Sequence, residues 1–281
     1  MIVEPPAVPI ALKPPVMVCD KPISNKIPEP LPRTAHYLVS CGPPRSGKTS
    51  ALIAMLTQNS PQLYSRCFHN IMVIMPTSSR HSMQTDPFED LDSRKVFDDL
   101  TPASLAAVQE IAEKTMNDGH NSLLYIDDMA ANLKDPALLK QFNKLINNRR
   151  HLRLSVWCIA QTYKSIPLSN RKTITHMLFF KPNNKQEGIS ITKELVTVPE
   201  YEWDAYTRRA FGEHAPPHSF LFLDVEKQAV YDRDFNRLRF PDPYAEEQNL
   251  YPQVQPRDDQ RRGPDILPRA RDQAALHRRA L

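Results

Sequence analysis

Eight consecutive residues, Gly42-Pro43-Pro44-Arg45-Ser46-Gly47-Lys48-Thr49, constrain this chain more than any other stretch. They fit the pattern G-x-x-x-x-G-K-[ST] at every fixed position, and that pattern requires a strand before it and a helix after it. Both flanks comply. His36-Tyr37-Leu38-Val39-Ser40-Cys41 is an apolar run of strand length, and Ser50-Ala51-Leu52-Ile53-Ala54-Met55-Leu56 reads as a helix. Gly42 and Gly47 let the backbone bend where a Cβ would clash. The loop N–H groups then face inward at a helix N-terminus and cradle phosphate oxygens. The expected nucleotide contacts are Gly42, Pro43, Pro44, Arg45, Ser46, Gly47, Lys48, Thr49 and Ser50. Lys48 is placed to reach the β- and γ-phosphates of ATP, and the Thr49 hydroxyl to ligate Mg²⁺.

The rest of the middle of the chain reads as strands alternating with helices. Residues 70–76 form an unbroken apolar run closed by Pro76, the pattern of a buried parallel strand. Residues 77–100 are polar and acidic and read as a surface excursion. Thr101-Pro102 and Asp135-Pro136 each read as an N-cap followed by proline at the first helical position. Ser122-Leu123-Leu124-Tyr125-Ile126-Asp127-Asp128 is an apolar strand running into two carboxylates. Such a strand carries its acids to the C-terminal edge of the sheet, where open α/β sheets bind ligands. Asp127 is expected in the Mg²⁺ shell and Asp128 as the acid that polarises water. Residues 154–160 make another buried strand ending in Gln161, a polar group placed to sense the γ-phosphate or its attacking water. Residues 176–180 supply a fifth strand, and helix-like stretches follow at 189–196 and 199–211. Residues 219–223 and 229–232 flank a polar turn and read as a hairpin. The expected fold is α/β, a three-layer sandwich with a mostly parallel central sheet and a C-terminal hairpin.

Composition divides the chain into three parts. There are 27 prolines against 6 glycines. Many of the prolines fall within residues 1–33, which therefore read as an extended arm. Residues 34–240 read as a P-loop ATPase domain. From Pro241 to the end, Pro, Gln, Asp and Arg dominate, the composition of a largely disordered tail. The four cysteines (Cys19, Cys41, Cys67, Cys158) form no C-x-x-C pair. That argues against a zinc site or a disulfide framework and for a reducing, intracellular setting. No run approaches the roughly 18–20 apolar residues that span a bilayer, and the start of the chain lacks the pattern of a signal peptide.

Charge is distributed unevenly. The net charge is only +4, yet no Asp or Glu occurs between Asp135 and Glu187, where ten Lys and Arg residues lie. They are Lys140, Lys144, Arg149, Arg150, Arg153, Lys164, Arg171, Lys172, Lys181 and Lys185. A one-signed block in a nearly neutral chain calls for an anionic partner or an acidic neighbour, unless it is a solvated face. Nucleic acid and a neighbouring subunit's ATP both qualify.

Taken in order, Gly42 to Thr49, Leu123 to Asp128, Arg149-Arg150-His151, Gln161, and Ile166-Pro167 with Arg171 resemble the additional-strand P-loop ATPases. Within them the chain looks like the FtsK/HerA branch, and most like the poxvirus-type genome-packaging ATPases of large DNA viruses. The resemblance covers about residues 34–235. It implies a homo-oligomeric ring that hydrolyses ATP to pump double-stranded DNA into a capsid, with capsid or portal-vertex proteins as partners. It also implies a place in the host cytoplasm or viral factory, with association with the virion. Arg149 or Arg150 is expected to enter the neighbour's site as an arginine finger, and from the acid-free block Lys164, Arg171 and Lys172 are expected to face DNA. One departure concerns Asp128, because the wider branch usually carries Glu there. Three competing readings share the motif: a DNA translocase or helicase that does not package, a nucleoside or nucleotide kinase, and a scaffold that uses ATP as a switch.

Overall fold

The computed structural model describes residues 17–127 and 132–240. Part of the proline-rich arm (1–16), the second acid of the Asp127-Asp128 pair and the tail (241–281) lie outside the described residues. A single nine-stranded sheet organises the rest. In chain order the strands are β1 Tyr37–Cys41, β2 Asn70–Ile74, β3 Val96–Phe97, β4 Ser122–Ile126, β5 Leu154–Ala160, β6 His176–Phe180, β7 Phe220–Asp224, β8 Ala229–Tyr231 and β9 Arg237–Leu238. The main helices are α1 Lys48–Thr57, α2 Thr77–His81, α3 Pro102–Asn117, α4 Pro136–Asn148, α5 Leu168–Arg171, α6 Lys185–Glu194 and α7 Glu200–Phe211.

Across the sheet the order is β3-β2-β4-β5-β1-β6-β7-β8-β9. The first six are parallel and the last three antiparallel. This is the mostly parallel sheet with a C-terminal hairpin that the sequence predicts. The strand β5 lies between β1, which leads into the glycine loop, and β4, which leads into Asp127.

Every residue of β1, β4, β5 and β6 is buried. That explains why these strands read as continuous apolar runs, since helices cover both faces of a parallel sheet. Successive side chains alternate between faces. Tyr37, Val39 and Cys41 join Val108, Phe142, Leu145 and Ile191 on the side of α3, α4 and α6. Leu38 joins Leu52 and Met55 of α1 on the other.

The N-caps behave as read. The Thr101 hydroxyl accepts from the Ser104 amide in a capping box, and the Asp135 carboxylate accepts from the Leu138 amide. Two local readings change. The 77–100 excursion buries Phe88 against Tyr125 and adds the edge strand β3. A two-residue strand has no periodicity to detect. In the arm, Ile23, Ile27 and Leu31 are buried against the α1 face. The Arg33 Nε bond to the Ile27 carbonyl, 2.7 Å, helps fix that path. No helix among the described residues is long and apolar enough to cross a membrane.

Candidate active site

β1 ends at Cys41, level with Ala160 at the end of β5. The next amide, that of Gly42, donates to the Ala160 carbonyl at 3.2 Å. A Cβ on Gly42 would lie 2.6 Å from the Phe180 Cβ, so glycine is required by close approach. Gly47 has φ +98°, a left-handed conformation that favours glycine. Its carbonyl accepts the first α1 bond, from Ala51 at 2.9 Å. The amides of the first helical turn therefore lie at the loop, where a helix start leaves donors for a ligand. Pro43 and Pro44 shape the loop but have no N–H to offer a phosphate. The donors must come from the residues after them, with the Lys48 ammonium, which reaches back across the loop to the Pro43 carbonyl at 2.7 Å. Ser46 Oγ is buried without a hydrogen-bond partner, an orphaned polar atom inside the cradle.

Asp127 follows β4 directly and is held by its amide bond to the Ile74 carbonyl, 3.0 Å. It is only 7% exposed. Asp127, Thr49 and Ser50 line one cleft of about 700 Å³ between α1 and the 79–85 segment. A carboxylate and a hydroxyl are hard oxygen donors that suit Mg²⁺, which binds through one or two protein groups plus substrate phosphates and water. Among the described residues no group of three His, Cys, Asp or Glu side chains could hold a metal alone. The residues present thus fit a cation that arrives with a nucleotide. Gln161 is exposed and follows Ala160, so it emerges between the glycine loop and Asp127.

Arg149 and Arg150 lie elsewhere. The Arg149 carbonyl accepts from Leu154, the first residue of β5, so both arginines sit at the N-terminal edge of the sheet. Seven residues of β5 separate them from the loop of their own chain, about 20 Å at 3.3 Å per residue. They are therefore remote from the glycine loop of their own chain. Arg149 is half-buried, donates to the Ile146 carbonyl at 3.0 Å and has its pKa lowered by burial. Arg150 is exposed and paired with Asp20 at 2.6 Å.

The acid-free block is partly neutralised from outside itself. Besides the Arg150–Asp20 pair, Arg171 binds Glu194 at 2.8 Å and lies over the Tyr163 ring. Arg153 is buried and donates to the Gly119 carbonyl. Lys164 and Lys172 are exposed.

Two residues beside the loop escaped the sequence reading. Glu187, in the first turn of α6, is 7% exposed and accepts from the Tyr163 amide. The Cys41 thiol lies 3.9 Å from it, and burial together with that carboxylate pushes the thiol pKa up. His218 places its Nδ1 3.2 Å from the Ser46 carbonyl. An N-cap Asn184 announces the helix that carries Glu187, but nothing in the sequence ties either residue to the loop.

Solved structures share this fold. No curated protein matches the chain. The genome packaging NTPase B204 from Sulfolobus turreted icosahedral virus 2, solved with AMPPCP, superposes with TM-score 0.52 at 13% identity, covering 73% of this chain and 99% of that one. The same protein with ATP-gammaS gives TM-score 0.52 at 13% identity over 70% and 96%. B204, the DNA-packaging ATPase from Sulfolobus turreted icosahedral virus, gives 0.51 at 15% over 73% and 98%. At these identities the likeness is one of fold. The model of the family described as Poxvirus A32 protein matches residues 29–197, more than half of the sequence and all of the site from Gly42 to Glu187. The chain belongs to the Poxvirus A32 protein family.

Proposed function

We propose that this protein is a Mg²⁺-dependent ATPase that works as a homo-oligomeric ring and drives viral double-stranded DNA into a capsid. One observation carries the reading. The glycine loop, Asp127 and Gln161 converge at one edge of the sheet, with β5 set between the strands of the first two. Family membership and the packaging NTPases of the same fold support the choice of DNA as the polymer moved.

The chemistry is phosphoryl transfer to water, in which positioning and charge stabilisation do most of the catalysis. The loop amides from Arg45 onward and the Lys48 ammonium hold the phosphates. Thr49 and Asp127 hold the cation. Mg²⁺ held there would supply positive charge against the charge that develops on the phosphates. Asp128 orients the attacking water, Gln161 senses the γ-phosphate, and an arginine from the next subunit completes the site. Lys164 and Lys172 face the DNA backbone. The motor would act in the host cytoplasm or viral factory, docked on capsid or portal-vertex proteins.

Lys48→Ala tests the reading at its root. Purified wild-type protein should release phosphate from ATP with Mg²⁺, and the variant should not. A variant with wild-type turnover would remove the glycine loop from the mechanism.

A further inference from the structure

A second cleft of about 470 Å³ opens on the other side of the glycine loop from Asp127. Ligand pockets usually measure about 300–1,000 Å³. One wall is the loop and the flank of α1, including Arg45 and Ser50. The facing wall comes from later in the chain: His218, Phe220, Arg233 and Phe235. All four lie beyond the residues that the family model matches.

This wall is built with uncommon backbone. Among the described residues, six other than glycine have positive φ, and three of them line this one cleft: Arg45 at 63°, His218 at 58° and Phe235 at 61°. Such residues are rare and gather at functional sites. Hydrogen bonds hold them. Asp232 Oδ1 accepts from the amides of Asp234 and Asn236 at 3.0 and 2.9 Å, and the Phe235 amide donates to the Asp232 carbonyl at 2.9 Å. That turn sets the Phe235 ring 6.0 Å from Phe220 and 5.4 Å from Phe222. Arg233 donates to the Pro217 carbonyl at 3.2 Å, and His218 meets the Ser46 carbonyl. The two late loops are thus tied to each other and to the glycine loop.

The sheet order then decides what the cleft can hold. Asp127 extends from β4 on one side of β1, and Phe220 belongs to β7 on the other. If the γ-phosphate lies toward Asp127, the sugar end of a nucleotide must leave the loop toward Phe220. We propose that this cleft receives the ribose and base of the nucleotide, with Phe220 and Phe235 packing on the base and Arg45 and Arg233 facing the sugar and α-phosphate. The proposal rests on the reading of the glycine loop as an ATP site. Among the described residues the lining contains no Asp or Glu, so none of them offers a carboxylate to the N1–H and amino group of guanine. Recognition by ring stacking tolerates any purine, and the cleft should accept ATP and GTP alike.

Calorimetric binding of ATP, GTP and inorganic tripolyphosphate to the full chain with Mg²⁺ tests this. Wild-type protein should bind ATP and GTP within about threefold of each other. Phe235→Leu should weaken ATP roughly tenfold, the scale of a lost base–aromatic stack, and leave tripolyphosphate unchanged. Arg233→Gln, which changes an exposed side chain on a turn that the Asp232 bonds also hold, should also weaken ATP. Wild-type ATP affinity in both variants overturns the proposal, as does equal weakening of ATP and tripolyphosphate by Phe235→Leu. Wild-type protein that binds neither ATP nor tripolyphosphate would instead show that the glycine-loop reading fails, and the cleft assignment with it.

Discussion

The amide of Gly42 donates to the carbonyl of Ala160 at 3.2 Å, which fastens the first residue of the glycine loop to the strand that carries Gln161. Gln161, the residue after Ala160, is therefore placed beside the start of the loop. On this arrangement Asp127 and Gln161 have separable roles. Asp127→Asn should weaken Mg²⁺-dependent nucleotide binding, because the buried acid and Thr49 share one cleft. Gln161→Ala should leave nucleotide binding intact and lower kcat by about 10²-fold, the scale of a lost positioning group. Equilibrium binding and steady-state kinetics on both variants check this. A Gln161→Ala protein with normal kcat would mean that the residue senses nothing.

The arginine edge gives a second expectation. A finger must leave its own chain, which favours exposed Arg150 over Arg149, anchored on the Ile146 carbonyl. The Arg150–Asp20 pair is an exposed one, of a kind worth about 0–1 kcal/mol and readily exchanged. Arg150→Ala should lower kcat by about 10³-fold or more, with Arg149→Ala acting more on stability. Mixing Arg150→Ala with Lys48→Ala protein should restore part of the activity, since some sites regain both parts. Mixed oligomers without any rescue would place the finger elsewhere.

At the same edge a buried histidine makes stability depend on pH. His36 Nδ1 lies 2.8 Å from the Thr34 carbonyl and its Nε2 accepts from Trp157 Nε1 at 2.8 Å, so the fold uses the neutral ring. Burial, aided by the nearby Arg149 charge and opposed by the Thr34 bond, lowers its pKa from 6.5 to about 4. His176, 5.9 Å away ring to ring, is also lowered by burial and by the His36 and Lys227 charges. Between pH 6.5 and 4 the unfolded chain binds the proton that the folded chain refuses. Stability is then full above pH 6.5 and falls as pH drops toward 4, by roughly 3 kcal/mol from His36 alone. Urea unfolding followed by tryptophan fluorescence at several pH values should show this slope, and His36→Gln should flatten it. Equal slopes in both proteins would contradict the assignment.

Much of this architecture is legible in the sequence because burial on both sheet faces leaves unbroken apolar runs. Tyr37 to Cys41, Leu123 to Ile126 and Leu154 to Ala160 are such runs. The caps at Thr101 and Asp135 are local chemistry, and they read as they fold. What escaped depends on contacts between distant residues. Ile23, Ile27 and Leu31 are isolated aliphatics among prolines, and only the α1 face shows why they are there. Glu187 beside Cys41, His218 at the Ser46 carbonyl and Phe235 in the cleft beside Arg45 come from far along the chain, with no spacing rule to predict it. The ten-cation block looked uniform, but Asp20 and Glu194, both outside it, pair with two of its arginines.

The most direct test of the proposed motor is the steady-state ATPase rate of the purified protein with and without random-sequence double-stranded DNA, across a salt series. The account predicts that DNA accelerates hydrolysis, that the affinity behind this effect falls with salt by about 0.9 in log–log slope per phosphate contacted, and that Lys164→Gln with Lys172→Gln flattens that slope by up to about 2 while sparing the basal rate. Protein that hydrolyses ATP at the same rate whether or not DNA is present would contradict it.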